Sequence, residues 1–431
     1  PLPPTSRRYT LLLPVTAAPL PSSPRRVRVD LADRSYDVLI APRLLASLGP
    51  RLRDLFPDAS RSLVVLDSGV PEFLRGQAVG SLAAVGLSPA TVSLTPIEHD
   101  KSIATFESLL VRAAEARLER AEPIIAIGGG IVGDLTGFAA ASYRRGIPFI
   151  QCPTTLLAMV DAAVGGKTGL NIALPATPTS PAALRKNMAG AFWQPRLVLC
   201  DLETLDSLAP DEFAAGLAEC VKHALIAADW NDPDLWHWTT ANAQRIGARD
   251  PHTLPELVER NVALKARVVA SDEREERPAS EDPRGGRMAL NAGHTVAHAL
   301  EAWFDHARAA DSSSKPLPIK HGQAVALGLI AEALAALASP PPLNPAAPAP
   351  APSSSLVDAI RAALAALNLP THLKHFNAAP RADELLGLML DDKKTLTSRV
   401  RIVAPTAPGH ARVFTPSRDA LRAGLTAIGA I

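Results

Sequence analysis

Ile124-Ile-Ala-Ile-Gly-Gly-Gly-Ile-Val-Gly-Asp134 is a short apolar run leading directly into three glycines. A continuous run of β-branched residues predicts a strand buried on both faces. The glycines predict a tight turn, and Ile131-Val-Gly-Asp134 then opens a helix. Glycines let a backbone approach a pyrophosphate, and a helix N-terminus supplies N–H donors and a favourable dipole. The spacing is not G-x-G-x-x-G, so a strand-to-helix turn with no ligand fits the same residues.

Outward from this run the pattern repeats. Leu63-Val-Val-Leu66 reads as another buried strand ending in Asp67, Thr91 to Leu94 as a short one, and Ile103 to Glu119 has helical apolar spacing. Strands alternating with helices at this pace predict a parallel α/β sheet with crossovers, a Rossmann-like arrangement. Upstream, Val27 to Ile40 alternates around Ala32-Asp-Arg-Ser35, the pattern of a hairpin. Past Leu208 strand signals fade and Ala/Leu-rich helical spacing takes over. The expected organisation is an extension or linker over 1–23, an α/β domain over 24–207, and an all-α domain over 208–431.

At 431 residues and 47% hydrophobic, the chain has material for two cores. Lys+Arg 44 against Asp+Glu 43 gives +1, so no global field steers it to nucleic acid or membrane. Cys152, Cys200 and Cys220 are scattered in apolar runs, which argues against a disulfide framework and for a reducing compartment. No apolar stretch reaches the roughly 18 residues a membrane span needs; Ala324 to Ala338, interrupted by Glu332, reads as a buried helix. Residues 1–23 are rich in Pro, Ser and Arg, as in a linker or the remnant of an organelle leader. Four segments, 175–184, 276–285, 306–318 and 339–355, have the Pro, Ser, Ala or charged composition of surface loops.

The second stretch of interest is Arg287-Met-Ala-Leu-Asn-Ala-Gly-His-Thr-Val-Ala-His-Ala-Leu-Glu301. His294 and His298 stand four apart, on one face of a helix. That spacing suits two metal ligands; it equally suits two ordinary helix histidines, one packed and one solvated.

The order of motifs decides between them. Arg144-Arg145-Gly-Ile-Pro, Pro153-Thr154-Thr155, and Asp161-Ala-Ala-Val-Gly-Gly-Lys167-Thr-Gly-Leu-Asn171 are followed by Lys186-Asn187-Met and Ala191-Phe-Trp-Gln-Pro195. Then come Gly216-Leu-Ala-Glu219-Cys-Val-Lys222, Lys265, Asp272-Glu-Arg-Glu275, Arg287 to Glu301, His321-Gly-Gln-Ala-Val and Asp392-Lys393-Lys394. In order, over roughly residues 60 to 405, these resemble the dehydroquinate synthase signature. The resemblance implies an NAD-binding α/β domain followed by an α-helical domain that holds metal and substrate.

It also implies a reaction and the residues for it. Family members convert a seven-carbon keto-acid sugar phosphate, 3-deoxy-D-arabino-heptulosonate 7-phosphate, to 3-dehydroquinate, using NAD and a divalent metal, zinc or cobalt. Transient oxidation, phosphate elimination, re-reduction and an intramolecular aldol closure follow one another on one site. Glu219, His294 and His321 match the metal ligands. His298 then matches a proton-transfer residue rather than a ligand, with Glu275, Lys222 and Asn291 beside it. Arg145, Asp161, Lys167, Asn187, Lys265, Arg287 and Lys393 match the substrate-binding set. Asp67, Glu98, Lys101, Gly129, Gly130, Ile131, Asp134, Thr154, Thr155 and Lys186 match the nucleotide contacts.

A homodimer is implied, with Arg145 reaching a neighbouring subunit. The compartment implied is the cytosol for bacterial or fungal members and the plastid for plants or algae. The sequence departs from the family at Ile97, Gly69, Ala297 and Gln323, the last standing where a Glu is usual. Sister sugar-phosphate cyclases, a polyol dehydrogenase of the glycerol type and a non-catalytic domain are the competing readings. The pairing of Asn291 with His298 favours the dehydroquinate branch, the cationic set argues against a polyol dehydrogenase, and the complete ligand set against a non-catalytic domain.

Overall fold

The computed structural model describes residues 23–175, 183–278, 282, 284–309, 316–339, 350–392 and 400–431. The first half comprises β1 (Arg25–Val29), β2 (Tyr36–Ala41), α1 (Leu48–Leu55), β3 (Arg61–Asp67), α2 (Glu72–Ala84), β4 (Ser88–Leu94) and α3 (Ile103–Glu115). It continues through β5 (Ile124–Gly128), α4 (Gly130–Ser142), β6 (Phe149–Pro153), β7 (Lys167–Leu174), β8 (Ala183–Phe192) and β9 (Leu197–Asp201). The second half holds α5 (Pro210–Ile226), α6 (Leu235–Ala241), α7 (Ala243–Gly247), α8 (Leu254–Ser271), α9 (His294–Ala309), α10 (His321–Leu337), α11 (Ser354–Ala366) and α12 (Ala382–Asp392). The hairpin β10 (Ile402–Ala407) and β11 (His410–Phe414) and then α13 (Arg418–Ala427) complete it.

Seven strands form one sheet in the order β1-β2-β9-β6-β5-β3-β4. Only β1 runs antiparallel, as the expected hairpin with β2. The remaining pairings are parallel. From β3 the chain turns outward to β4, then crosses back to β5 on the other side of β3. That reversal is a topological switch point, where a crevice opens beyond the strand ends.

Period-2 alternation sorts the core. Val64 and Leu66 of β3, Leu39 of β2 and Leu199 of β9 face α1 and α2. Leu63 and Val65 face α3 and α4 with Ile124 and Ala126 of β5. At the other end of the sheet Val38, Ile40, Val198 and Cys200 face the helical half and join its core. One face of the sheet is thus shared between two sets of helices.

The second half departs from the all-α expectation at β10 and β11, paired antiparallel with a register shift between Pro405 and Ala407. Pro405 and Pro408 break the alternation that marks a strand, which hid the hairpin. The small sheet of β7 and β8 was likewise not read as strands. Of the four loop-like segments, most lies outside the described residues. The described ends differ from expectation: 306–309 complete α9, 354–355 begin α11, and 183–184 begin β8. Among the described residues, no helix is long and apolar enough to cross a membrane.

One helix contact and one helix cap position the site. A Cβ at Gly322 would lie 2.0 Å from the Ala215 carbonyl oxygen, so α10 meets α5 backbone to backbone. Gln323 accepts from the Lys320 N–H at 2.9 Å, capping α10 from its third residue. Gly322→Ala forces these helices apart; unfolding by denaturant is expected to show a loss of about 1–3 kcal/mol, the ordinary cost of overpacking.

Candidate active site

Three helices bring Glu219, His294 and His321 together. Glu219 lies on α5, and the two histidines are the first residues of α9 and α10. One ligand-capable atom from each lies within 4.8 Å of the others. His294 Nε2 is 3.8 Å and His321 Nε2 3.6 Å from Glu219 Oε1. The opposite ring nitrogens are occupied: His294 Nδ1 lies 3.1 Å from the Ala292 carbonyl, and His321 Nδ1 3.5 Å from Glu301 Oε1. Each ring so anchored presents the lone pair of Nε2 to the centre.

The electrostatics fit a metal. Glu219 is fully buried; its Oε2 pairs with Lys222, while Oε1 has no hydrogen-bond partner among the described residues. Burial, reinforced by nearby Lys222, holds the His294 imidazolium well below its usual range, so the ring is neutral. His321 is raised: burial opposes this, but the Glu301 and Glu219 carboxylates outweigh it. A second trio, Asp161, Glu219 and His223, also lies close together. Its Asp161 already faces two ammonium groups, which would repel a cation.

His298 lies outside both trios, its ring centroid 5.8 Å from that of His294 and 6.5 Å from that of His321. It is exposed, as is Asn291 before the helix. Glu301, to which motif reading gave no role, continues the 294, 298 series at helical spacing. That i, i+4, i+7 series was a usable signal. Glu301 also binds Lys186 Nζ at 3.1 Å, and the lysine is raised: burial opposes it, while Glu301 and Glu98 prevail.

Beside the trio, Asp161 sits in a π-type turn, Ala158–Ala162, between two buried lysines. Lys222 Nζ is 3.4 Å from its Oδ2, and Lys265 bonds Oδ1 and the Asp161 carbonyl. Burial works against the Asp161 charge, but the two ammoniums hold its pKa well below the usual range. Lys222 is raised, since two carboxylates face it against the cost of burial. Lys265 is lowered by burial, with Lys222 and Arg287 nearby and one carboxylate to oppose them.

Arg287 is buried and donates to the Gly165 carbonyl at 3.3 Å and to the Glu273 carbonyl. Glu275, in the left-handed region at φ 56, lies between Arg287 Nε at 3.4 Å and Lys167. The segment 276–285, only partly described, therefore leaves Glu275 facing the cluster. Tyr36 from β2 accepts from the Gly165 N–H at 3.1 Å, fixing the turn before Lys167. Arg145 is exposed at φ 64 and stands apart from these contacts. Lys393 and Lys394 lie outside the described residues.

The third group surrounds the sheet's switch point. Asp67 ends β3 and accepts from the Gly69 N–H at 2.8 Å; burial raises its pKa. Neighbouring β5 ends at Gly128, and α4 starts at Gly130 with no side chain capping it. A Cβ at Gly129 would approach Thr155 to 3.3 Å, so Gly129, Gly130, Ile131, Thr154 and Thr155 line one turn. Lys101 is buried and donates to Asp134 at 2.6 Å and to Asn187. Asn171, which sequence reading also passed over, bridges the pieces. Its amide donates to Glu98 Oε1 at 2.8 Å and its oxygen accepts from the Asn187 N–H at 2.9 Å.

Comparison with known proteins shows the family and the fold. Residues 91–215 match the model of the 3-dehydroquinate synthase N-terminal region and 216–395 that of its C-terminal region. A 3-dehydroquinate synthase of Sinorhizobium medicae is 37% identical over 95% of this chain and 97% of its own. One of Caulobacter vibrioides is 38% identical over 94% and 100%. Among solved structures, 2-deoxy-scyllo-inosose synthase, complexed with carbaglucose-6-phosphate, NAD+ and Co2+, superposes with TM-score 0.73. It is 22% identical and covers 94% of this chain and 100% of its own. The 2-epi-5-epi-valiolone synthase of Streptomyces hygroscopicus, with NAD+ and Zn2+ bound, gives 0.69 at 23% identity over 91% and 96%. At those identities the structures show a common fold. The chain belongs to the 3-dehydroquinate synthase family.

Proposed function

We propose that the site converts 3-deoxy-D-arabino-heptulosonate 7-phosphate to 3-dehydroquinate and phosphate. The observation that carries this is a buried carboxylate whose unpartnered Oε1 faces two imidazoles, beside the cations Lys167, Lys222, Lys265 and Arg287. Glu219, His294 and His321 would hold a divalent ion, zinc or cobalt, which supplies Lewis-acid polarisation of a substrate oxygen. NAD would lie at the switch point, where it supplies a reversible hydride acceptor. Asp67, Glu98 and Lys101 would hold it, with Gly129, Gly130, Ile131, Asp134, Thr154, Thr155 and Lys186.

The chain's own residues do the rest. Lys167, Arg287 and Lys265, with Asn187, would bind the anionic ends of the substrate, and charge-assisted bonds orient it. Lys393 and Arg145 extend that set, Arg145 from the neighbouring subunit of a homodimer. Lys222 and Asn291 would hold substrate hydroxyls, and Asp161 keeps the two buried ammoniums charged and in place. His298, exposed beside the trio, would carry protons between substrate and water, with Glu275 poised opposite. A cytoplasmic enzyme is the accompanying reading: the relatives named are bacterial, and the three cysteines are unpaired and buried.

Supplied with the heptulosonate phosphate, NAD+ and Zn2+, the protein is expected to release phosphate and form 3-dehydroquinate without net NADH. Stoichiometric NADH would point to a dehydrogenase, and absent phosphate release with metal and NAD bound would overturn the reading. His298→Ala should cost about 10²–10⁴ in kcat while metal content by atomic emission stays unchanged; loss of metal would make His298 a ligand.

Asp161→Asn leaves the Lys265 ammonium buried without its carboxylate and Lys222 with Glu219 alone. Unfolding at neutral pH is expected to show a loss of about 3–5 kcal/mol. Because Asp161's folded pKa is depressed, its contribution is full above its unfolded value of about 3.9. The contribution fades as pH falls through the folded value. The gap between wild type and variant should therefore close on acidification.

A further inference from the structure

We infer that Glu332 is a positioning residue for the His294 ligand, acting as the missing cap of α9 from the neighbouring helix. This rests on the metal reading of Glu219, His294 and His321. Glu332 is fully buried on α10, a helix otherwise free of Asp, Glu, Lys and Arg. Its two carboxylate oxygens are divided between two backbone donors of α9. Oε2 accepts from the Gly293 N–H and Oε1 from the Val296 N–H, each at 3.0 Å.

Those two donors are the ones a capping box satisfies. Gly293 precedes the first helical residue, and its carbonyl accepts the first intrahelical bond, from the Ala297 N–H at 3.1 Å. It is the N-cap, and Val296 is the third helical residue. In most helices the N-cap side chain bonds the third N–H. Here the N-cap has none and cannot have one: at φ 79 a Cβ would lie 2.9 Å from the Leu329 nitrogen and 3.0 Å from the Val325 oxygen. Its counterpart is Gly328, where a Cβ would come within 1.9 Å of the Gly293 oxygen. The two backbones therefore touch at Gly293 and Gly328, and one turn further along α10 Glu332 supplies both halves of the cap.

The consequence concerns distance rather than charge alone. His294 is the residue between the N-cap and the rest of the capped turn, and His321 begins the helix that provides the cap. Glu332 thus ties one ligand's first turn to the rigid body of the other. A glutamine in its place has one acceptor and one amide; the amide would confront a backbone N–H and push the turn away. A frayed first turn would leave the Nε2 of His294 free to leave the centre.

The test compares Glu332→Gln with wild type, using Zn2+ competition against a chromophoric chelator and the visible spectrum of the Co2+-loaded protein. A folded E332Q chain is expected to lose about 10–100-fold in metal affinity, the usual effect of removing a partner that orients a ligand, with a changed Co2+ band. A merely structural role would lower the melting temperature and leave the Co2+ band of the folded protein intact, and that result overturns the inference. Should E332Q fail to fold, hydrogen exchange on the metal-free wild type decides. Amides 293–296 are expected to exchange more slowly than the first turn of α2, which has no side-chain cap; equal rates overturn the inference. A wild type that binds neither Zn2+ nor Co2+ overturns the metal reading itself.

Discussion

The fold is arranged to keep one carboxylate dry. Glu219 has no exposure, an ion pair from one oxygen to equally buried Lys222, and no hydrogen bond to the other oxygen among the described residues. Removing such a charge from water costs several kcal/mol even after relaxation. One ammonium three residues along the same helix recovers part of it and leaves the outer oxygen facing two imidazoles. A divalent cation is the species that satisfies all three groups at once. Everything around the site follows from holding them at bonding distance without one another's help, since they come from three separate helices.

Close backbone contact solves that problem. The α5–α10 crossing at Gly322 and the α9–α10 crossing at Gly293 and Gly328 leave no room for a methyl group. Helix ends carry two of the ligands, so each must also be capped, which Gln323 does for α10 and Glu332 for α9. Side-chain packing alone tolerates shifts of a fraction of an ångström. Backbone-to-backbone stops and paired hydrogen bonds tolerate less, and a metal site needs the tighter control.

The sequence made the α/β half legible because buried parallel strands are continuous apolar runs, as at Leu63–Leu66 and Ile124–Ile127, and both stand where expected. It also signalled the ligand trio, though only through the order of motifs: no spacing relates Glu219, His294 and His321. The pair His294 and His298 taken alone suited two ligands or two ordinary helix histidines, and the geometry groups His294 but not His298 with Glu219 and His321. Asn171 went unread for a different reason, and so did the partners of Glu301, whose helical spacing alone was visible. The work of these two residues is to hold Lys186, His321, Glu98 and Asn187, and such bridging is a property of three-dimensional neighbours. The β10–β11 hairpin was hidden by prolines that a bulged edge strand of a two-stranded sheet can accommodate.

The cations divide into two kinds, and burial decides which. Lys222 and Lys265 are almost wholly enclosed around Asp161. Breaking that cluster would strand charge in a low-dielectric interior, so it behaves as fixed scaffold. Lys167 is about half exposed and its partner Glu275 over a third, at 53% and 37%. A pair so wet is worth about 0–1 kcal/mol, little enough for an incoming phosphate or carboxylate to displace. On the proposed reading Glu275 would hold the anion's place at low cost, and its release upon binding would leave a carboxylate beside Arg287 and the substrate. A site for a multiply charged substrate needs both kinds: cations that never move, and cations whose present partners can be exchanged.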